Sequence, residues 1–187
     1  MDLFDKYLAK REESTWVKRA LTDRSFKKEY QREKRETLPK DKTNEDLATY
    51  GDAVIKLGYL DIMLDKVKQP SQDKQKLESD EFFVTAIAKH YKLLHYIQID
   101  LSDEQIVRDY DYRPKDDSKK KDESKKKVEP KKSNARNPHK YIATAVEAMI
   151  GAIYIEKGKK LEPIIELLRK WKENKDVWIN DDQGLSK

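Results

Sequence analysis

An all-α fold follows from three features of this 187-residue sequence. Apolar residues recur at spacings of three and four in every stretch able to build a core. No stretch alternates apolar with polar residues as a half-buried strand would. Two runs, residues 44–66 and 139–157, stay apolar long enough for long helices. The chain is long enough to bury one real core, so a single domain over residues 1–178 is expected, followed by a polar tail at 179–187. An apolar fraction of 36% against a charged fraction of 41% requires a heavily charged surface or an unstructured segment.

Residues 1–30 read as helix. Leu3, Phe4 and Leu8 form one stripe, and Trp16, Val17, Ala20 and Leu21 a second, with Glu13-Ser14-Thr15 as a possible cap between them. The polar cluster Thr22–Phe26 breaks the pattern. Residues 27–43, strongly charged and containing Pro39, read as a solvated connection. The run from Asn44 is the centre of the chain: Asn44 can cap a helix, and Glu45 and Asp46 lie in its first turn, where the helix dipole favours anions. Pro70-Ser71 starts a helix pair or one bent helix over residues 72–96, with Leu77, Phe82, Phe83, Ile87, Ala88, Tyr91 and Leu94 read as core. Residues 139–157 make the second apolar helix, with Gly158 as its C-cap. An amphipathic helix over residues 160–178 carries Leu161, Ile164, Ile165, Leu168 and Trp171.

Composition narrows the function classes. A net charge of +5 permits an anionic partner. There is no cysteine, hence no disulfide framework and no thiolate chemistry. No apolar run reaches membrane-spanning length, and the N-terminus lacks the apolar core of a signal peptide, so a soluble cytoplasmic protein is expected. His90, His95 and His139 show no ligand spacing, which argues against zinc. The stretch Lys115–Lys132 holds nine lysines, five acids and one apolar residue, Val128. It reads either as a mobile solvated insertion or as a basic arm laid against RNA phosphates.

Two residues carry the chemistry. Asp52 and Glu147 are acids in core-like contexts on the two long apolar helices. If those helices pack side by side, the carboxylates converge, and like charges at close range require a cation or a shared proton. Magnesium suits that demand, because it accepts one or two carboxylates together with waters and phosphates. The simpler alternative is that each acid bonds to a nearby Arg, Lys or Tyr.

The segment NEDLATYGDAVIKL resembles the signature of the ribonuclease III family, roughly N-E-x-L-E-x-x-G-D-[AS]-V. Three further segments agree in order. Ala20–Phe26 is similar to A-L-T-H-R-S-Y, with Asp23 in the histidine's place; Ser79–Phe83 is similar to S-E-E-x-F. Tyr141–Gly158 resembles the second catalytic helix of the family. The resemblance implies an all-α domain that dimerises and cuts double-stranded or structured RNA with magnesium or manganese held by four carboxylates. Carried over by position, Asp52 and Glu147 are metal ligands and catalytic, Glu45 is a further catalytic acid, and Asp80 and Glu81 are outer acids.

The departures from that pattern are specific. Ala48 replaces the signature's second glutamate and Thr144 replaces an aspartate, so two formal charges leave the site and metal binding is expected to weaken. Glu45 is seven residues from Asp52, roughly 10 Å along a helix, too far to substitute for Ala48 at the same ion. Thr49 stands where the family carries an aromatic that reaches into the partner subunit. The double-stranded RNA-binding domain usual in the family is expected to be missing. Lys119, Lys120, Lys121, Lys125, Lys126 and Lys127, with Arg136 of the following loop, are expected to provide RNA contacts in its stead. Two functions compete: an endoribonuclease with weakened hydrolysis, and a non-catalytic RNA-binding or ribonucleoprotein assembly module. A third arrangement has another chain do the cutting. If the lysines contact RNA, deleting Lys115–Lys132 flattens the salt dependence of RNA binding; an unchanged slope in a salt titration rules the arm out.

Overall fold

Local capping sets the N-terminal helices. Asp2 accepts the Asp5 backbone N–H while the Asp5 carboxylate accepts that of Asp2, and this reciprocal cap opens α1 (Leu3–Ala9). Ser14 caps α2 (Thr15–Ala20) by accepting the Val17 N–H at 3.1 Å. The Thr22–Phe26 break is a tight turn in which Asp23 accepts the Ser25 N–H at 2.8 Å. These elements belong to a computed structural model that describes residues 1–64, 70–100 and 138–180. The lysine-rich stretch Lys115–Lys132, Arg136 and the tail 181–187 lie outside the described residues.

The charged segment 27–43 corrects the expectation of a plain connection. Lys27–Lys34 is a helix, α3, ended by Arg35 in the left-handed conformation. Lysine, glutamate, glutamine and arginine lose little side-chain freedom in a helix. Glu29 is buried and paired with Arg32 at 2.7 Å, one turn away. Apolar periodicity is blind to such a helix, because polar side chains form most of it.

The central helix α4 (Glu45–Leu64) begins directly after Asn44. Asn44 stands at the N-cap position, and its carbonyl accepts the Ala48 N–H at 2.8 Å. Its side-chain amide is fully buried and, among the described residues, makes no hydrogen bond, so the side chain does not supply the cap. Helix α5 (Pro70–Leu77) follows. Ser79 then caps α6 (Asp80–Phe82), which continues without interruption into a wider π-helical turn, Phe83–Ala88, buried throughout. The second apolar run forms α7 (Pro138–Glu156), closed by Gly158 at φ +67°, and α8 (Glu162–Asn180) is the amphipathic helix. Among the described residues there is no strand, only one parallel bridge between Thr22 and Gln98.

Helices α4 and α7 form the centre of the core, antiparallel and in backbone contact. Gly51 faces Glu147 and Gly151, while Leu47 faces Gly151. A Cβ at Gly51 would lie 1.8 Å from the Glu147 carbonyl oxygen, and one at Gly151 would lie 2.3 Å from that of Leu47. Around this crossing pack Tyr59, Phe83, Ile142, Met149, Ile150 and Trp171, all essentially excluded from water. The chain ends are drawn in by aromatic contacts. Phe4 of α1 stacks on Tyr91 at 4.4 Å and meets Trp171 of α8 edge-on at 5.7 Å, and the Trp171 indole donates to the Tyr91 hydroxyl at 3.1 Å.

Alanine at an open helix position stabilises by about 1 kcal/mol relative to glycine. At Gly51 the sign inverts, because the obstructing atoms are backbone and cannot move aside. Gly51→Ala is expected to destabilise by roughly 3 kcal/mol, lowering the midpoint of thermal unfolding by on the order of 6–12 °C. An unchanged or raised midpoint would contradict the crossing geometry.

Candidate functional site

The glycine crossing determines what lies beside it. Because the α4 and α7 backbones touch at Gly51 and Glu147, the neighbouring Asp52 and Glu147 side chains open onto the same cleft, about 650 Å³ in volume. Glu45, Ala48, Asp80 and Thr144 line it as well. Glu81 does not: it is exposed beside Asp80 and lies off the cleft. Of the residues picked from the sequence, seven of those described thus share one space, Thr49 among them.

The sequence reading missed the cations. Lys56 and Lys140 line the cleft with Glu78. Lys56 Nζ binds the Asp52 carboxylate at 2.7 Å, one turn along α4. Lys140 Nζ lies 3.5 Å from Asp80 and Arg24 2.9 Å from Glu45, while Glu78 pairs with Lys74 at 2.7 Å. The simpler expectation for a helix acid, a bond to a nearby base, therefore holds for Asp52. Its i, i+4 spacing to Lys56 was a legible signal. The Lys140–Asp80 and Arg24–Glu45 pairs join distant segments and carry no such signal.

Glu147 differs from the other acids. Burial pushes its carboxyl up to about 7; Lys140 pulls it back, Asp52 and Asp80 push it further up, and Lys56 again opposes. The hydrogen bond to Asp52 is the first cause holding the Lys56 ammonium above its ordinary value. Near neutrality the cleft thus contains a carboxyl poised between its two forms, surrounded by acids whose charges are already matched.

The donor set decides what a divalent ion would find. Among the described residues, no three His, Cys, Asp or Glu side chains come together to hold one. Ala48 contributes no ligand, and Thr144 is buried and uncharged. Of the ligands expected from the sequence, Asp52 and Glu147 are present, beside Glu45, Glu78 and Asp80, which are paired with cations. Asp52 and Glu147 fit magnesium in its partial mode, where water and substrate phosphate complete the shell, and do not make a closed protein cage.

The molecule is thus an all-α bundle with an acid cleft at the crossing of its two long apolar helices. The family model for the ribonuclease III domain matches residues 45–158, more than half of the chain, and the chain belongs to that family. That membership supports a role in processing double-stranded RNA, in a family generally dependent on divalent metal. No curated protein and no solved structure matches the chain. No helix of the described residues is long and apolar enough to cross a membrane.

The raised Glu147 carboxyl makes stability depend on pH in a defined direction. Its ordinary value is 4.5 and its folded value about 7, so between the two the folded chain holds more protons than the unfolded chain. Stability therefore falls as pH rises across that window and is level on either side. Glu147→Gln removes this descent. With divalent ions chelated, the gain in urea midpoint of the variant over the wild type should be larger at about pH 8 than at about pH 5. An equal gain at both values would show that Glu147 titrates in its ordinary range.

Proposed function

We propose that this protein engages double-stranded or structured RNA at the α4–α7 cleft and hydrolyses phosphodiester bonds there with reduced, metal-dependent efficiency. One observation supports this reading above the others. Asp52 and Glu147, from helices nearly a hundred residues apart in a chain of this family, face one cleft. They are the residues that would hold a magnesium or manganese ion, which when bound would position and activate water against the phosphodiester.

The protein's own groups account for the rest. An incoming phosphate competes with Asp52 for the Lys56 ammonium and with Asp80 for that of Lys140, so RNA entry frees carboxylate oxygens as it neutralises the lysines. Glu147, poised near neutrality, can hold or release a proton inside the cleft. Glu45 and Asp80 shape the field from the rim. The lysines of the 115–132 stretch would add sequence-independent affinity for the backbone.

A homodimer is part of the proposal. On α4, beside the acid face, Tyr50, Leu57, Leu60 and Leu64 are exposed, with Leu57 at 55% and Leu64 at 83%. Such a stripe on a domain with few exposed apolar groups suits a second copy of the chain.

A second reading is favoured by the ion pairs. With Glu45, Asp52, Glu78 and Asp80 each matched to a cation and Ala48 and Thr144 uncharged, the cleft also suits an RNA-binding module without chemistry. Cleavage of a long RNA duplex across a magnesium and manganese series separates the two. Cutting that rises with metal, disappears on chelation and is abolished by Asp52→Asn and by Glu147→Gln is the expected outcome. Binding without cutting at every metal concentration establishes the module. In the same preparation, analytical ultracentrifugation should show a dimer that Leu57→Glu with Leu60→Glu converts to monomer; a wild-type monomer removes the dimer from the proposal.

A further inference from the structure

A second recess lies on the other side of the α4 N-terminus. It is a groove of about 530 Å³ between α2, α3 and the segment leading into α4, within the range of small-ligand sites. Its walls carry three aromatic rings, Trp16, Phe26 and Tyr30, and three exposed lysines, Lys18, Lys34 and Lys42, against the one acid Asp41. Trp16 is 36% exposed, and Phe26 and Tyr30 are only partly covered. These rings therefore present faces to the groove that the core does not use.

Cations already attend two of those rings. The Arg19 guanidinium sits 5.9 Å from the Trp16 ring centroid, and Lys42 Nζ 5.8 Å from that of Tyr30. Arg19 is fixed by a 2.9 Å bond to the Thr43 carbonyl and a 3.0 Å pair with Asp46, whereas Lys42 is exposed at the groove edge. Aromatic faces next to exposed lysines match the two parts of a nucleotide: every base has a stacking face, and every linkage carries a phosphate charge.

The groove also has an address. Arg19 on its wall holds Asp46, and Arg24 holds Glu45 of the acid cleft at 2.9 Å. Glu45 and Asp46 are consecutive residues of the first turn of α4, so cleft and groove meet at one helix end.

We propose that the groove is a stacking site for an unpaired nucleotide of the same RNA whose duplex lies in the cleft, a base resting on Trp16 or Tyr30 and its phosphates on Lys34 and Lys42. The inference rests on the reading of the cleft as an RNA site. It names the substrate more narrowly: a duplex next to a single-stranded end or junction. An acidic peptide would satisfy the lysines but gains little from the three ring faces, and the experiment separates it.

The test compares binding of a short blunt RNA duplex with binding of the same duplex bearing a single-stranded overhang, in chelator so that no cutting intervenes. The overhang should tighten binding to the wild type by roughly fivefold to a hundredfold per stacked base. Trp16→Ala or Tyr30→Ala should remove that gain and leave blunt-duplex affinity unchanged. Lys34→Ala with Lys42→Ala, two exposed positions that leave the core intact, should lower the salt slope for the overhang RNA by about 2 and not that for the blunt RNA. Wild-type protein that binds both RNAs equally overturns the inference and leaves the cleft reading standing. Equal weakening of both RNAs by Trp16→Ala overturns it as well, and so does capture of poly-glutamate in the absence of any overhang effect. Binding of neither RNA overturns the cleft reading together with this one.

Discussion

The backbone contact of α4 with α7 at Gly51 and Gly151 is the constraint from which the rest of the molecule follows. Two helices carrying ordinary side chains at their crossing stand 8–10 Å apart. Here glycine on both sides lets a carbonyl of each helix occupy the space a Cβ would need. The gain is close dispersion contact along two apolar surfaces. The consequence is chemical as well as mechanical, because Asp52 and Glu147 are brought to one cleft without either leaving its helix.

That placement sets the electrostatics. A carboxylate near a core must be matched by a cation or lose its charge, and the cleft uses both solutions. Asp52, Asp80 and Glu45 are matched by Lys56, Lys140 and Arg24. Glu147, deepest against the crossing, is instead pushed toward its neutral form. A four-carboxylate site would carry more negative charge than its own residues can balance and would draw in divalent metal to compensate. With alanine at 48 and threonine at 144 that excess is gone, and the cleft is nearly balanced internally. Such a site exchanges partners: an anion can take the lysines, and a cation can take the acids so freed.

How much was legible depended on the distance over which each interaction acts. The two long helices, the cap at Ser14 and the left-handed Gly158 follow from patterns within a few residues, and they stand where spacing puts them. Helix α3 did not, because its stability comes from polar side chains, where apolar spacing has no purchase. Asn44 shows the opposite failure. Its type suits a cap, yet burial leaves its amide without a partner while the backbone does the capping. Glu81 matched the family pattern by position, but the start of α6 turns it outward, and its neighbour Asp80 faces the cleft instead.

By itself the sequence determined the family and the all-α class, because these depend on local periodicity and on short ordered motifs. It also placed the uncharged Ala48 and Thr144 among the residues of the cleft. Only the tertiary structure decided which cations meet the acids of the cleft. Lys140 reaches Asp80 and Arg24 reaches Glu45 across many residues of chain, and no spacing rule joins such pairs. The aromatic groove was equally hidden, since Trp16 reads as part of an apolar stripe and Tyr30 lies in a charged segment, and the two line one groove only in the packed chain. Charge balance and exposure belong to the packed chain, because both depend on which distant residues meet.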